Sequence, residues 1–563
     1  MKRVFIGHRG VGKTELLKRH QSYFPDLPHF DLDQEIEKSQ NKNILEIFKN
    51  QSEQKFRDIE LNIFTKLIQN ENFVISLGAG FNPENIPNTI EVIYVSRRTD
   101  SDGRIFLNRP RLDFDSTALN EYLDRFQKRE PLFRFRADFI YHLPEGLKSN
   151  NLIEKNIFKS EYAIKNVFLT ATNENLNHFQ NIELRTDIFS DERIKKILIN
   201  NKNTFLISYR KKTNQYPFTT GLIDWALELG SPPAEIQNSE LIISNHDDEI
   251  QTAIEKFKSY PQFHQKLCPI IQSWTELEIG HNWQSEKPDQ RSFLPRTSPS
   301  NKKSNWRWYR QLQFSKQKIN FIQGHQDFDD QPSLFEYLSS AHKVISNSQF
   351  AAVLGNPIHH SKTPITQSEN FDLNVLSVPI ADSDFEPAIA VLLDMGLIAA
   401  AVTSPLKNLA GKLCGKDFAV NSMVFKNPSW IGTSTDEFGL EKLIQQIPNF
   451  KSKTFAIWGG GGILNSISKI LPNAVCYSAQ TQKPRFEKQP NASPDVVIWA
   501  APRKFEIQMP PNHWQPEIVL DLNYTENSIG LEYAQNKNIK YISGDMMFYT
   551  QAEKQLQFWK ENL

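Results

Sequence analysis

Residues 5–17 read FIGHRGVGKTELL. A short apolar run enters a set of glycines, a Gly-Lys-Thr triplet follows, and a helix-forming run comes next. Gly7, Gly10, Gly12, Lys13 and Thr14 fit the phosphate-loop pattern G-x-x-x-x-G-K-[ST]. Backbone N–H groups of Gly10, Val11, Gly12, Lys13 and Thr14 would cradle phosphate oxygens at a helix N-terminus. Lys13 would neutralise charge on the β- and γ-phosphates, and the Thr14 hydroxyl would sit on Mg2+. The stretch therefore predicts an α/β fold with a nucleotide at its first strand–helix turn. It does not name the phosphoryl acceptor, nor explain why the chain runs on for several hundred residues.

The rest of the sequence bounds the answer. At 563 residues, a prior of ~100–200 residues per domain gives three or four domains. Apolar residues make up 39%, enough for ordinary cores. Lys+Arg and Asp+Glu both number 65, which argues against a chain-wide nucleic-acid footprint. Cys268, Cys414 and Cys476 lie far apart, so neither a disulfide framework nor a metal cluster is expected, and a reducing cytoplasm fits. The N-terminal MKRVFIGHRG is too short for a signal peptide, and no apolar run approaches the ~18 residues of a membrane span.

Three segments follow one another. Residues 1–160 alternate strand-like and helix-like stretches. Residues 165–345 carry eight short apolar runs: NVFLTA, NIELRTD, TFLISYR, LIDWALEL, LIISNHD, KLCPIIQS, RSFLPRT and KINFIQ. Amphipathic pieces such as DEIQTAIEKFKSY separate several of them, which suggests a small (β/α)8 barrel. SNWRWYRQLQF is aromatic and basic, and is read as packing rather than a nucleic-acid patch. Residues 350–563 restart with FAAVLGNPI and hold a second glycine loop, FAIWGGGGILNSISKIL, between a strand and a helix.

In the first segment, FDLDQEIEK, FRDIE, LGAGF, LNRPRL and KREPLFRF occur in an order that resembles shikimate kinase over about 140 residues. The resemblance implies that Asp31 holds the Mg2+ water shell and that Asp33 positions the attacking hydroxyl. It gives Arg57 and Arg129 the substrate carboxylate, as guanidinium forks suit that group. Gly78 and Gly80 would form the substrate loop, with Ala79 replacing the middle glycine of that family. Arg109 would stabilise the transferred phosphoryl group.

In the second segment, His246 and Lys266 stand at the edges of apolar runs, where a barrel places its active site. A desolvated lysine there can attack a ketone, and a histidine can move a proton beside the resulting imine. The set resembles type I 3-dehydroquinate dehydratase. Lys266 would be the imine lysine and His246 its acid/base, with Glu183, Arg185, Arg210, Arg310 and Gln331 binding substrate.

The third segment carries GNPIHHSKTP, AVTSPLK, AVNSM, GTSTDEFG, LDLNYTENS and GDMMFYTQAE in sequence, and resembles shikimate dehydrogenase. The resemblance gives Ser361, Thr363, Thr403, Asn421, Tyr524 and Gln551 to the substrate, and Lys407 with Asp436 to proton exchange. Gly459, Gly461 and Gly462 would admit the pyrophosphate of NADP(H) in a Rossmann domain. The arginine that meets the 2′-phosphate in that family is absent from CYSAQTQKPR, where Lys483 or Arg485 could substitute.

The order resembles the C-terminal three domains of the fungal pentafunctional AROM polypeptide. It implies a P-loop kinase domain at 1–160, a dehydratase barrel at 165–345, a dehydrogenase substrate domain at 350–450 with 545–563, and a Rossmann domain at 451–544. The partners expected are small-molecule substrates, not nucleic acid or membrane, with oligomeric state left open. Two alternatives stand beside this reading: a quinate- or shikimate-sensing regulator built from the same domains, and a fusion whose barrel is inactive.

Overall fold

The computed structural model describes the chain except residues 45, 48–52, 107–114, 163–166, 174–175, 177–178, 214, 238–239, 301–304, 325–329, 342–348, 461–462, 487–492 and 502–506. The described residues form an α/β structure with four separate sheets. Two compact units divide it. The first is Met1–Arg97, Pro131–Gln349 and Glu386–Gly396; the second is Arg98–Glu130, Phe350–Phe385 and Leu397–Leu563.

In the first unit, β1 (Lys2–Ile6), β2 (His29–Asp31), β3 (Phe73–Ser76), β4 (Glu91–Ser96) and β5 (Phe139–His142) make a parallel sheet in the order β2-β3-β1-β4-β5. The central β1 is buried almost throughout, as a parallel strand covered on both faces must be. The order reverses at β1, so the turn after it opens at the sheet's switch point, where α/β folds bind ligands.

The same unit holds a second sheet of eight parallel strands: β6 (Val167–Thr170), β7 (Asn181–Arg185), β8 (Thr204–Tyr209), β9 (Leu222–Ala226), β10 (Glu240–Asn245), β11 (His264–Leu267), β12 (Arg291–Phe293) and β13 (Asn320–Ile322). Each expected run supplies one strand. The order β12-β11-β10-β9-β8-β7-β6-β13 is a barrel closed everywhere except between β12 and β13. Side chains bridge that gap. Ile319 N donates to Ser292 Oγ at 3.2 Å, and Phe293 N donates to Gln317 Oε1 at 3.0 Å. Two backbone N–H groups facing the gap are thus satisfied by side chains rather than by a ladder. Phe168, Leu206, Ile242, Leu294 and Phe321 fill the interior. The aromatic-basic run forms the helix Arg307–Gln313 and buries Trp306, Trp308 and Tyr309, which is packing, as expected.

The second unit contains two five-stranded sheets. One is β14 (Phe350–Gly355), β15 (Val375–Pro379), β16 (Leu397–Val402), β17 (Ser422–Lys426) and β18 (Ser429–Thr433), ordered β15-β14-β16-β17-β18 with an antiparallel hairpin at one edge. The other is fully parallel: β19 (Phe455–Gly459), β20 (Val475–Tyr477), β21 (Val496–Ala500), β22 (Ile518–Asp521) and β23 (Lys540–Ile542), ordered β20-β19-β21-β22-β23. Apolar clusters cover both of its faces, which explains strands as uniformly apolar as VVIWA. Among the described residues no helix is long and apolar enough to cross a membrane.

Candidate active sites

The turn after β1 leads into the helix Lys13–Tyr23. Gly12 is its N-cap, with φ 106°, a conformation that L side chains avoid, so glycine is required there. Lys13 is buried and donates to Gly7 O at 2.8 Å and His8 O at 3.0 Å, which folds its ammonium over the loop. Thr14 Oγ1 donates to Asp31 Oδ2 at 2.8 Å. This hydroxyl–carboxylate pair is an oxygen donor set suited to a hydrated Mg2+. Arg97 also braces the loop, donating from Nε to Val11 O at 2.7 Å; no motif in the sequence announces it.

Beside this turn, Asp33, Arg57, Gly78 and Gly80 meet. A Cβ on Gly78 would stand 3.0 Å from Asp33 Oδ1 and from Glu60 Oε1, and one on Gly80 would stand 2.1 Å from Arg57 Nη2. Arg57 Nη1 donates to Glu60 Oε2 at 2.7 Å, which fixes the guanidinium. Ala79 is not among the positive-φ residues, so its backbone needs no glycine. Arg129 is half-buried on the helix Ala118–Arg136. Arg109 lies outside the described residues.

The barrel gathers its candidates at the C-terminal strand ends. Lys266 on β11 is 2% exposed and ion-pairs with Asp224 of β9. Its ammonium also sits 4.5 Å from the centre of the Phe321 ring. Arg210 Nη2 donates to Asp224 Oδ2 at 2.6 Å, and Nη1 hydrogen-bonds Ser244 Oγ at 3.2 Å and His246. Burial alone would raise the Asp224 pKa, but the Arg210 and Lys266 cations outweigh it and hold the carboxyl well below its ordinary value. Burial, with Arg210 and then Lys266 adding to it, holds the His246 imidazole well below its usual value and therefore neutral. Glu183 accepts from Thr170 Oγ1 at 2.6 Å and Ser208 Oγ at 2.7 Å. Gln331 Nε2 donates to Thr170 Oγ1 at 3.0 Å, while its Oε1 is buried with no hydrogen-bond partner among the described residues. Asp224 Oδ1 is in the same position.

Arg185 forks onto Asp187, 2.6 Å away, at the rim. Arg310 is buried, and spends Nε and Nη2 on the carbonyls of Leu294 and Pro295, just past β12. Sequence reasoning missed two carboxylates. Asp224 is the counter-charge of the lysine, and Glu228 accepts the His246 and Asp247 backbone N–H groups while lying 3.6 Å from His246 Nδ1. Both sit in LIDWALEL, which reads as merely apolar. A carboxylate inside a buried strand is costly unless paired, and that was the available signal.

The second unit holds an open cleft lined by His360, Ser361, Thr363, Thr403, Lys407, Asn421, Asp436, Tyr524 and Gln551, among others. Lys407 opens the helix Lys407–Leu413, and Asp436 opens the helix Asp436–Ile444. Lys407 Nζ donates to Asp436 Oδ2 at 2.6 Å, and Asn421 Nδ2 donates to Asp436 Oδ1 at 2.9 Å. Ser361 Oγ accepts from Thr363 N at 3.2 Å. Gln551 Oε1 is buried without a hydrogen-bond partner among the described residues.

After β19, Gly459 has φ 88°, and a Cβ there would lie 2.5 Å from Ala501 Cα. Only glycine fits this turn, which suits the close approach of a dinucleotide. Gly460, which the sequence reading passed over, has φ 91° as well; Gly461 and Gly462 lie outside the described residues. The chain after β20 turns back so that Ser478 N donates to Lys483 O and Arg485 N donates to Cys476 O. This leaves the exposed Lys483 and Arg485 beside the strand end where a 2′-phosphate would need a cation.

Residues 9–157 match the shikimate kinase family model. A shikimate kinase of Burkholderia thailandensis is 35% identical over 174 residues, spanning 28% of this chain and 90% of that protein. Through this region the chain belongs to the shikimate kinase family. A shikimate dehydrogenase (NADP(+)) of Hydrogenovibrio crunogenus is 28% identical over 37% of this chain and 91% of its own length. Another, from Prochlorococcus marinus, is 31% identical over 22% of this chain, and the match spans about half of it, 48%. These likenesses support a fusion of a shikimate kinase part with a shikimate dehydrogenase-like part.

Proposed function

We propose that the chain is a multifunctional enzyme of aromatic amino acid (chorismate) biosynthesis, with a kinase domain at 1–160, a dehydratase barrel at 165–345, a dehydrogenase substrate domain at 350–450 with 545–563, and a Rossmann domain at 451–544. It dehydrates 3-dehydroquinate, reduces 3-dehydroshikimate and phosphorylates shikimate. It works in the cytoplasm, where its three free cysteines stay reduced. When bound, ATP–Mg2+ supplies the phosphoryl group and NADPH the hydride.

The dehydratase is carried by one observation: a buried lysine at a strand end with a carboxylate, a guanidinium and a neutral imidazole around it. Lys266 gives up its proton and attacks the substrate ketone carbon; the carbonyl oxygen leaves as water, forming the imine. His246 removes the proton α to the imine and returns it to the departing hydroxyl, which leaves as a second water. Hydrolysis of the imine then releases the product. Arg210, Arg185, Arg310, Gln331 and Glu183 bind and orient the substrate.

In the cleft of the second unit, the Ser361 and Thr363 hydroxyls, Tyr524 and Gln551 hold a small hydroxylated carboxylate. Thr403 and Asn421 complete the wall. Lys407 and Asp436 pass a proton to the oxygen that becomes a hydroxyl. Gly459, with Gly461 and Gly462, admits the dinucleotide. In the kinase, Lys13 and the Gly10–Thr14 amides hold the phosphates, Thr14 and Asp31 hold the metal's water shell, and Asp33 aligns the shikimate hydroxyl. Arg57 and Arg129 grip its carboxylate, Gly78 and Gly80 leave room for it, and Arg109 stabilises the transferred phosphoryl.

The test is direct. The purified chain is given 3-dehydroquinate, NADPH and ATP–Mg2+, and shikimate 3-phosphate is the expected product. Unconsumed dehydroquinate would refute the barrel's role, accumulated dehydroshikimate that of the dehydrogenase, and accumulated shikimate that of the kinase. Borohydride with dehydroquinate should fix a covalent adduct on Lys266.

A further inference from the structure

The second unit contains a contact that the three activities do not require. Residues Asp100–Phe106, within the stretch that matches the kinase family, lie against the two loops that carry dehydrogenase substrate residues. The first loop runs from Ile358 to Thr363. Its His359 Nε2 hydrogen-bonds the Asp102 carboxylate. The second runs from Tyr524 to Ser528. Its Asn527 Nδ2 donates to Asp102 O at 3.1 Å, and Ile105 N donates to Glu526 O at 2.7 Å. Arg104, 2% exposed, donates to Glu526, Asp100, Tyr122 Oη and Thr99 Oγ1. Gln535 Nε2 donates to Phe106 O at 2.6 Å.

Both loops end in the cleft. His359 is in ring contact with His360 at 5.7 Å, and His360 with Tyr524 at 6.1 Å. His360, Ser361 and Tyr524 all line the cleft. The inner end of the second loop is already pinned, because Asp521 accepts from Asn523 N and Ser528 Oγ. Further out, Glu526 and Asn527 hydrogen-bond the stretch of Asp102, Arg104 and Ile105, while Tyr524 O accepts from Lys362 Nζ at 3.4 Å. A buried arginine with four acceptors is not a chance surface contact, since desolvating a guanidinium is costly unless its donors are met.

We infer that Asp102 and Arg104 are positioning residues for the dehydrogenase: a strap supplied by the kinase-matching stretch holds the Ser361 and Tyr524 loops in the geometry that binds the substrate carboxylate. This rests on the dehydrogenase reading above. It implies that the dehydrogenase in this chain is complete only when joined to residues that precede the barrel in sequence.

The test uses the full chain. Asp102→Ala and Glu526→Ala are each expected to raise the dehydrogenase KM for shikimate roughly three- to tenfold, the scale of one lost pairwise coupling. The KM for NADP+ should stay put in both variants and the thermal midpoint in Asp102→Ala, and Asp102→Glu should restore the shikimate KM. Unchanged KM in both variants would overturn the inference. So would a KM that rises only together with a fallen midpoint and is not rescued by glutamate, since that marks a merely structural role. A second readout needs no activity: amide hydrogen exchange at 358–363 and 524–528 should speed up in Asp102→Ala, and unchanged exchange there also overturns it. A wild-type chain that oxidises no shikimate, with exchange that responds to Asp102→Ala, would sink the dehydrogenase reading and leave the strap standing.

Discussion

The barrel and the cleft of the second unit each centre on a lysine beside an aspartate, yet the two pairs are built differently. Lys266 and Asp224 are 2% and 0% exposed, with Arg210 and His246 against them. Lys407 and Asp436 are 28% and 9% exposed, with only an amide, Asn421, completing the carboxylate. A buried lysine at a strand end is the kind of amine that can attack a ketone and form an imine. A pair whose lysine reaches water while its carboxylate is buried suits reversible acid–base work. On the proposed reading, the same two residue types would serve carbon–nitrogen bond formation in one place and proton exchange in the other.

The largest expected effect tests the nucleophile. Lys266→Arg keeps a cation against Asp224 but removes the only amine that can form an imine, as a guanidinium does not deprotonate. Dehydration should fall by at least about a thousandfold, with no borohydride adduct in a mass spectrum. Shikimate oxidation and shikimate phosphorylation by the same sample should be unchanged. A retained adduct would move the nucleophile elsewhere.

The next tests the carboxylates. Asp224→Asn strands a buried cation pair, so a loss of about 3–5 kcal/mol is expected, seen as a fall in the barrel's denaturant midpoint. Asp436→Asn should cost about 0–1 kcal/mol, because its partner reaches water. It should instead lower dehydrogenase kcat by about a hundredfold or more. Equal stability losses would erase the contrast.

How far this contrast could be read in advance is instructive. The eight barrel strands were legible because parallel strands buried on both faces must be short apolar runs, and LIDWALEL and LIISNHD are that. Lys266, His246 and Arg210 were legible as polar side chains at the ends of such runs. Asp224 was not, because it lies inside its run and its meaning depends on two cations from strands 14 and 42 residues distant in sequence. The glycine turns were legible from pattern, and their necessity follows from φ 106° at Gly12 and the blocked Cβ at Gly459. The Asp102–His359 contact, 257 residues apart, left no local trace.

The third prediction uses pH. The folded His246 pKa lies well below its ordinary 6.5, first through burial and then through Arg210 and Lys266. Between the folded value and 6.5 the unfolded chain binds the extra proton, so the fold's stability is fully present above 6.5 and is lost as pH falls below it. The catalytic counterpart has the same origin: the base stays neutral at pH 6. Dehydratase kcat/KM should therefore show no histidine limb between pH 6 and 7.5, and its fall should begin only at more acid pH. His246→Asn should lose most of the rate at every pH in that range. A limb centred near 6.5 would mean that water reaches the imidazole, and the barrel pocket would then resemble the cleft.

The smallest effect is that of salt. Screening acts on charges that face water and little on those that do not, with a Debye length of about 10 Å at 0.1 M and 3 Å at 1 M. Raising salt from 0.05 to 0.5 M (about 14 to 4 Å of screening) should weaken shikimate binding by the half-exposed Lys407 cleft by a few-fold. The KM of the barrel for dehydroquinate should move less, since Lys266, Arg210 and Asp224 are shielded from the ions. Sodium chloride and potassium acetate must give the same ratio, otherwise a specific anion is competing for a site. If the barrel proved the more salt-sensitive of the two, its rim pair Arg185–Asp187, 28% and 36% exposed, would be the place where substrate charge is first met.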